Sequence, residues 1–183
     1  SFVRYGAGWL LPDGFVDGHH IRVICQKLQD VYEGKCRRLM IFLPPRSSKS
    51  TLSQLFQAWL LGNRPTWTIM GVSYAASLAT DFSRSVRNLV NSPEYQEIFP
   101  GVALSEDSKA ANRWNTTSGG RYYAAGIGGG IAGRGAHVAV IDDPLSEQEA
   151  LSKQAKERVR NWYPSGLRTR LHPKVGSVII IST

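Results

Sequence analysis

The most informative segment of this 183-residue chain is Leu39-Met40-Ile41-Phe42-Leu43-Pro44-Pro45-Arg46-Ser47-Ser48-Lys49-Ser50-Thr51. Its apolar first part predicts a buried strand, and the residues that follow Ser50 have apolar side chains at helical spacing. Between the two lies a tight turn that ends in the pair Lys49-Ser50. Because the start of a helix presents free backbone N–H groups and the positive end of the helix dipole, this segment predicts a site for an anion such as a phosphate.

The turn matches the phosphate-loop pattern G-x-x-x-x-G-K-[ST] only in part. Lys49 and Ser50 fit the pattern, whereas Leu43 and Ser48 occupy its two glycine positions. Taken alone, the segment is equally compatible with an ordinary strand, turn and helix that carry a surface lysine.

A second strand-like run, residues 136–141, ends in the adjacent carboxylates Asp142 and Asp143. A nucleoside-triphosphate site needs a lysine and backbone N–H groups around the phosphates, a hydroxyl and a carboxylate for Mg²⁺, and a second acid that orients water. The two segments together supply all of these groups. They therefore favour a nucleoside-triphosphate site over the surface-lysine alternative.

The composition indicates one globular α/β domain, since 42% of the residues are hydrophobic and 20% are charged. The formal net charge of +8 favours a polyanionic partner but does not locate the binding face. Cys25 and Cys36 form neither a C-x-x-C motif nor a His/Cys cluster, which indicates free thiols in a reducing compartment. No apolar run approaches membrane-spanning length, so no membrane association is expected. The chain starts without Met and stops after an apolar run, and we expect a piece of a longer protein.

Helices and strands are predicted to alternate along most of the chain. The predicted elements are a helix over 19–33, a strand over 39–43, a helix from 50, a strand over 67–74, a helix over 75–91, a loop and β-ribbon over 92–125, a strand over 136–141, a helix over 146–162 and a strand over 175–181. Such alternation implies parallel crossovers, and it predicts a doubly wound, mainly parallel sheet flanked by helices.

The glycine-rich segment 126–135 contains matches to the dinucleotide fingerprint G-x-G-x-x-G. The fingerprint follows a strand and opens a helix, whereas this segment precedes a strand, so a dinucleotide site is not expected. Two interpretations stay open: a flexible surface loop, or a functional loop that holds Arg134 near a phosphate.

Several motifs together resemble the ATPase domain of a tailed-phage terminase large subunit. The matching segments are 43–50, 73–74, 78–79, 82–83, 86–87, 99–101, 119–120, 133–135, 140–145 and 162–163. The resemblance implies a P-loop NTPase fold of the ASCE type, with residues 1–38 as a helical, adenine-side segment and 39–183 as the P-loop core. It further implies a C-terminal nuclease domain that this chain does not include.

The same resemblance implies an activity and its partners. The activity is Mg²⁺-dependent ATP hydrolysis that drives double-stranded DNA into a procapsid. The implied partners are the DNA, a portal protein, a small terminase subunit and further copies of the chain in a ring, all in the host cytoplasm.

The resemblance assigns roles position by position. Lys49 would contact the β- and γ-phosphates, Ser50 and Asp142 would hold Mg²⁺, and Asp143 would orient the attacking water. Arg46 would sense the γ-phosphate, and Arg134 would act as an arginine finger on a neighbouring subunit. The residues assigned to nucleotide binding are Pro45, Arg46, Ser47, Ser48, Lys49, Ser50 and Thr51. Ser182 and Thr183 would begin a motif that couples hydrolysis to movement.

One position departs from the family pattern, because relatives usually have glycine where this chain has Ser48. Glycine permits unusual backbone angles and a close approach to phosphate. We expect Ser48 to adopt a helical or bridge conformation and to weaken the site without abolishing it. This departure keeps a second class of function open, a nucleic-acid-binding module with a degenerate, non-hydrolysing loop; a helicase-type ATPase is a third possibility.

Other residues have less specific interpretations. Trp9 or Phe15 could stack on adenine, although core packing is the commoner use of such side chains. The basic residues after the second motif are equally compatible with a solvated face and with DNA or subunit contacts. They are Arg158, Arg160, Arg168 and Arg170.

Overall fold

The computed structural model describes residues 18–131 and 133–183. The helices are α1 (His19–Tyr32), α2 (Lys49–Asn63), α3 (Ala76–Val90), α4 (Pro93–Ile98) and α5 (Lys153–Trp162). The strands are β1 (Arg38–Phe42), β2 (Thr68–Ser73), β3 (Leu104–Ala110), β4 (Arg113–Thr116), β5 (Arg121–Gly126), β6 (Val138–Asp142) and β7 (Ser177–Ser182). The predicted alternation of helices and strands is confirmed.

The strands form one mainly parallel sheet in the order β1-β7-β6-β2-β5-β4-β3. The first five in that order are mutually parallel, and β4 and β3 add an antiparallel ribbon. Strand β7 lies between β1 and β6, with Phe42 opposite Ser182 and Asp142 opposite Ile181. Because parallel strands end at the same edge, this register brings the turn after β1 and the carboxylates after β6 together.

Both faces of the sheet are covered, but unequally. Helices α1 to α4 bury one face, and α1 contributes the predicted apolar stripe of Ile21, Ile24, Leu28 and Val31. The opposite face packs against the short segment that includes Trp162 and Leu167. The chain therefore has the two-sided cover that a parallel sheet requires. In the described part of the chain, no helix is both long enough and apolar enough to span a membrane.

The prediction for residues 92–125 was incomplete, because helix α4 lies within the segment that we expected to hold only a loop and a ribbon. The Ser92 hydroxyl accepts a hydrogen bond from the Tyr95 N–H at 3.2 Å, and Pro93 occupies the first helical position. A serine cap followed by proline is a local start signal for a helix. The expected ribbon is present as β3 and β4.

The helix predicted over 146–162 is wrong at its start. Ser146 and Glu149 bond reciprocally, with the Ser146 N–H donating to the Glu149 carboxylate at 3.1 Å. This capping box opens only a single 3₁₀ turn, Glu149–Leu151. Helix α5 then begins at Lys153, with the Ser152 hydroxyl capping its first turn. Two successive caps divide the charged segment into two pieces.

Candidate active site

The turn that connects β1 to α2 carries the backbone geometry of an anion-binding loop. The Ser47 hydroxyl donates to the Pro44 carbonyl at 2.7 Å and closes the turn, and the Leu52 N–H donates to the Ser48 carbonyl at 2.9 Å. The Ser48 side chain makes no capping bond to the helix. The first N–H groups of α2 therefore stay available to a ligand at the end of a 15-residue helix, where the dipole favours an anion.

The expectation that Ser48 is helical or bridge-like is wrong, because Ser48 is left-handed, with φ 60° and ψ 18°. Arg46, two residues earlier, is also left-handed, with φ 62°. A non-glycine residue in this region costs on the order of 1–3 kcal/mol. The structure thus explains why glycine suits position 48: the turn demands a conformation that a Cβ atom disfavours.

The Lys49 side chain turns inward over the sheet edge and is only 9% exposed. Its ammonium lies 3.8 Å from a carboxylate oxygen of Asp143 and donates a hydrogen bond to the Thr183 hydroxyl. Lys49 therefore contacts the residues that directly follow β6 and β7. The turn and the two carboxylates lie together at one edge of the sheet, as the sequence predicted.

Asp142 ends β6 with its side chain directed into the protein, and the residue is 4% exposed. Burial raises the pKa of its carboxyl group to about 6; the negative charge of Asp143 adds to this rise, while a hydrogen bond from the Ser50 hydroxyl and the charge of Lys49 oppose it. Its Oδ1 atom has no hydrogen-bond partner among the described residues. A buried carboxylate beside a hydroxyl fits a cation, which would offset its charge.

The residues present fit a Mg²⁺ ion that is held jointly by protein side chains and by the phosphates of a nucleotide. Ser50 and Asp142 supply a hydroxyl and a carboxylate in mutual contact. The described residues contain no group of three His, Cys, Asp or Glu side chains that could hold a metal by themselves. This matches Mg²⁺, which usually takes one or two protein ligands and completes its shell with water and substrate phosphates.

Asp143 follows β6 in a left-handed conformation, with φ 47°. Its N–H donates to the Ile181 carbonyl at 2.9 Å, and its own carbonyl accepts from the Tyr74 N–H at 3.1 Å. These bonds fix the backbone to both neighbouring strands. The side chain stays 33% exposed, so its carboxylate is held firmly and remains open to solvent.

Arg134 and Arg46 are not joined to this cluster. In the part of the chain that the structure describes, neither guanidinium forms a hydrogen bond or ion pair with Asp142 or Asp143. The Arg134 guanidinium instead lies 5.1 Å from the centre of the Tyr123 ring. The structure therefore does not bring Arg134 to the site of its own chain.

Sequence reasoning missed two polar residues beneath the site, Gln57 and Tyr122. Both are buried, and the Tyr122 hydroxyl donates to the Gln57 side-chain carbonyl at 2.8 Å. The one signal in the sequence was a glutamine within the apolar face of α2. The possible adenine contacts Trp9 and Phe15 lie outside the described residues.

No family model matches the chain, and no curated protein matches it either. Several solved structures do. The large terminase of bacteriophage HK97 aligns with a TM-score of 0.60 at 13% identity, over 94% of this chain and 34% of that protein. An arginine-to-alanine mutant of the Thermus phage P74-26 large terminase ATPase domain aligns with a TM-score of 0.59 at 15% identity, over 91% of this chain and 65% of that one.

A second structure of the P74-26 domain aligns with a TM-score of 0.54 at 14% identity, over 80% of this chain and 59% of that one. The chain thus spans about a third of the HK97 protein and less than two thirds of the P74-26 domain. At these identities the likeness shows the fold. It confirms the predicted mainly parallel α/β architecture flanked by helices and the likeness in fold to large terminase ATPase domains.

Proposed function

We propose that this chain is the ATP-hydrolysing motor domain of a viral terminase large subunit, which drives double-stranded DNA into a procapsid. The observation that carries the proposal is the junction of two sequence-distant motifs at one sheet edge. There Lys49 lies 3.8 Å from Asp143, and the Ser50 hydroxyl bonds to Asp142. A helix N-terminus, a lysine, a hydroxyl and two acids in this arrangement are the parts that phosphoryl transfer uses.

The turn binds the nucleotide. The backbone of residues 45–51, with N–H groups from Arg46 onward, surrounds the phosphates, and Lys49 reaches the β- and γ-phosphates. The Lys49 ammonium lies 3.8 Å from Asp143 and donates a hydrogen bond to Thr183, which places it between the turn and the ends of β6 and β7.

Asp143 orients the attacking water. The water oxygen attacks the γ-phosphorus, its proton passes to the released phosphate, the bond to the bridging oxygen breaks, and ADP leaves with that oxygen. Ser50 and Asp142 would hold Mg²⁺, which would supply positive charge against the charge that develops on the phosphate oxygens. Arg46 senses the γ-phosphate from within the turn.

Arg134 completes the site of a neighbouring subunit in a ring. Its guanidinium lies over Tyr123 and, among the described residues, pairs with neither Asp142 nor Asp143, so it is not engaged in the site of its own chain. The net charge of +8 suits contact with DNA. The same proposal extends to the partners and to the rest of the protein. The partners are a portal protein and a small terminase subunit, and the location is the host cytoplasm. Residues 39–183 form the P-loop core after the 1–38 segment, and the full-length protein has a nuclease domain.

One observation favours a second function, a nucleic-acid-binding module that does not hydrolyse ATP. Ser48 lies in a left-handed conformation that costs free energy without glycine. The buried Asp142 carboxylate argues the other way, because a module without catalysis has no use for an uncompensated charge in its core. A helicase-type ATPase shares the site and differs in the machinery that uses the hydrolysis.

Nucleotide binding tests the proposal at its first step. Calorimetry with ATP and Mg²⁺ should show binding to the wild type, and Lys49→Met should weaken it by roughly tenfold to a hundredfold, since a bond to a charged group is worth about 1.5–3 kcal/mol. Lys156→Met, an exposed lysine on α5, is the control and should bind as the wild type does. Equal affinity of Lys49→Met and Lys156→Met would refute the assignment of the turn.

A further inference from the structure

A buried chain of polar groups runs beneath the candidate metal site. The Tyr122 hydroxyl donates to the Gln57 carbonyl oxygen at 2.8 Å, and the Gln57 amide donates to the Ser53 hydroxyl at 3.0 Å. All three residues are at most 3% exposed. Polar groups in a core are costly unless they are bonded, and here each bond fixes the direction of the next. The Tyr122 hydroxyl is therefore held at one point with one lone pair still available.

That hydroxyl belongs to a residue that borders a small cavity together with Asp142. The polar residues of its lining are Gln54, Gln57, Tyr122 and Asp142, the rest of the lining is apolar or glycine, and the cavity offers about 10 Å³ to the centre of a water molecule. A polar cavity needs roughly 10–15 Å³ on this measure to hold one water.

Gly71 in β2 makes the arrangement possible. A Cβ atom at this position would lie 2.3 Å from the Tyr122 hydroxyl oxygen, so any side chain would displace the hydroxyl. Asp142 also borders the cavity, and its Oδ1 has no hydrogen-bond partner among the described residues. A residue with an acceptor that lacks a donor and a residue with a fixed hydroxyl thus line one water-sized space.

We propose that this cavity holds one ordered water that donates to Asp142 Oδ1 and to the Tyr122 hydroxyl oxygen, which makes Tyr122 and Gln57 positioning residues for the Asp142 carboxylate. The direction of every hydrogen bond is consistent: the water donates to Tyr122, Tyr122 donates to Gln57, and Gln57 donates to Ser53. The bridge fixes the carboxylate rotamer and leaves its other oxygen for Ser50 and the metal. The inference rests on the proposed function, because it concerns the same metal site.

Such outer partners of a metal ligand typically change metal affinity by about 10- to 100-fold when they are removed. The test is Tyr122→Phe, which deletes one hydroxyl. Affinity for Mn²⁺, a paramagnetic substitute for Mg²⁺, is measured by electron paramagnetic resonance in the presence of a non-hydrolysable ATP analogue. We expect Tyr122→Phe to weaken Mn²⁺ binding by about 10- to 100-fold. Binding of the analogue without metal should stay unchanged.

The matched control is Tyr95→Phe. Tyr95 is also buried, and its hydroxyl donates to the Ala58 carbonyl at 2.9 Å, away from the site. Tyr95→Phe should bind Mn²⁺ as the wild type does, so a general loss of stability cannot imitate the effect. If Tyr122→Phe does not fold, Gln57→Met decides, because it keeps the hydroxyl and removes its fixed acceptor; it should weaken Mn²⁺ binding in the same direction.

Two results together would overturn the water bridge and leave the proposed function standing. Tyr122→Phe would bind Mn²⁺ as tightly as the wild type, and Asp142→Asn would not bind Mn²⁺. Equal weakening in Tyr122→Phe and Tyr95→Phe would also overturn the bridge. A wild type that binds no Mn²⁺ with the analogue would overturn the proposed function and this inference together.

Discussion

The two halves of the candidate site are built in opposite ways. Asp142 is buried at 4% exposure and lies in a strand paired on both sides, so its position is set by the sheet. The turn over residues 44–48 is largely exposed, and Arg46 and Ser48 hold left-handed conformations. The carboxylate half is rigid before any ligand arrives, whereas the loop half carries backbone strain. Changes to the first should remove chemistry, and changes to the second should adjust affinity.

The largest effect is expected at the rigid half. Asp142→Asn is nearly isosteric and removes the charge that Mg²⁺ needs, so Mg²⁺-dependent hydrolysis should be abolished while the fold persists. Phosphate release and circular dichroism together check this prediction. Turnover at the wild-type rate in a folded Asp142→Asn protein would show that the buried carboxylate has no part in metal binding.

Arg134 lies outside both halves, and it should matter only between subunits. Arginine fingers contribute on the order of 10³–10⁵ in rate, so Arg134→Ala should lower turnover by such a factor. In assembled rings, a mixture of Arg134→Ala and Lys49→Ala subunits should recover part of the activity, because each supplies what the other lacks. Rings that assemble from the mixture without any recovery would rule out action in trans.

The burial of the Asp142 carboxylate should lower the free energy of unfolding when no metal is bound. Its pKa is about 6 in the folded protein against an ordinary 3.8, so the folded state binds the proton more tightly and ionisation destabilises the fold. The penalty is absent below about pH 4, grows as the pH rises, and is complete above about pH 6. It corresponds to about 3 kcal/mol.

With EDTA present, metal-free Asp142→Asn should therefore be more stable than the wild type by up to about 3 kcal/mol at alkaline pH, and the difference should vanish in acid. Urea unfolding across this pH range measures it. Asp107→Asn, at an exposed aspartate, is the control and should show no such pH-dependent gain. A gain in stability that is the same at every pH would contradict the burial argument.

The smallest effect is expected in the loop. Ser48→Gly removes a left-handed cost of about 1–3 kcal/mol and a side chain that would crowd a phosphate, so the variant should be more stable to urea by about that amount and should bind ATP more tightly. Ser48→Ala is the control, since it removes the same hydroxyl but keeps the Cβ atom that makes the conformation costly. Urea unfolding and calorimetry compare the two, and the double variant of Ser48→Gly with Lys49→Met should still bind weakly. Unchanged stability and affinity in Ser48→Gly would show that the serine is a native part of the loop.

The sequence allowed the strands and helices to be predicted because apolar runs and helical stripes are local patterns. The meeting of Lys49 with Asp142 and Asp143 followed from one rule, that parallel strands end at the same edge. The left-handed angle of Ser48 could not be foreseen, because serine tolerates several conformations and the closure of the turn selects one. The insertion of β7 between β1 and β6 was equally hidden, since alternation does not specify strand order.

Two further features lay beyond local patterns. Helix α4 is only six residues long, and its serine cap and proline also occur in turns, which is how the segment was interpreted. The pair of Tyr122 and Gln57 joins residues 65 positions apart, and only the packing of α2 against β5 brings them together. Short elements and long-range polar contacts depend on tertiary structure, so neither could be predicted from the residues around them.

The most direct test of the account is Mg²⁺-dependent release of phosphate from ATP by the wild type and by Asp143→Asn. The account predicts turnover by the wild type that EDTA abolishes, slow in the unassembled chain because Arg134 acts in trans. Asp143→Asn should bind ATP as the wild type does and release phosphate on the order of 10²–10⁴-fold more slowly, the range of a positioned acid–base group. Equal rates in the two proteins, or no Mg²⁺-dependent turnover by assembled wild type, would contradict it.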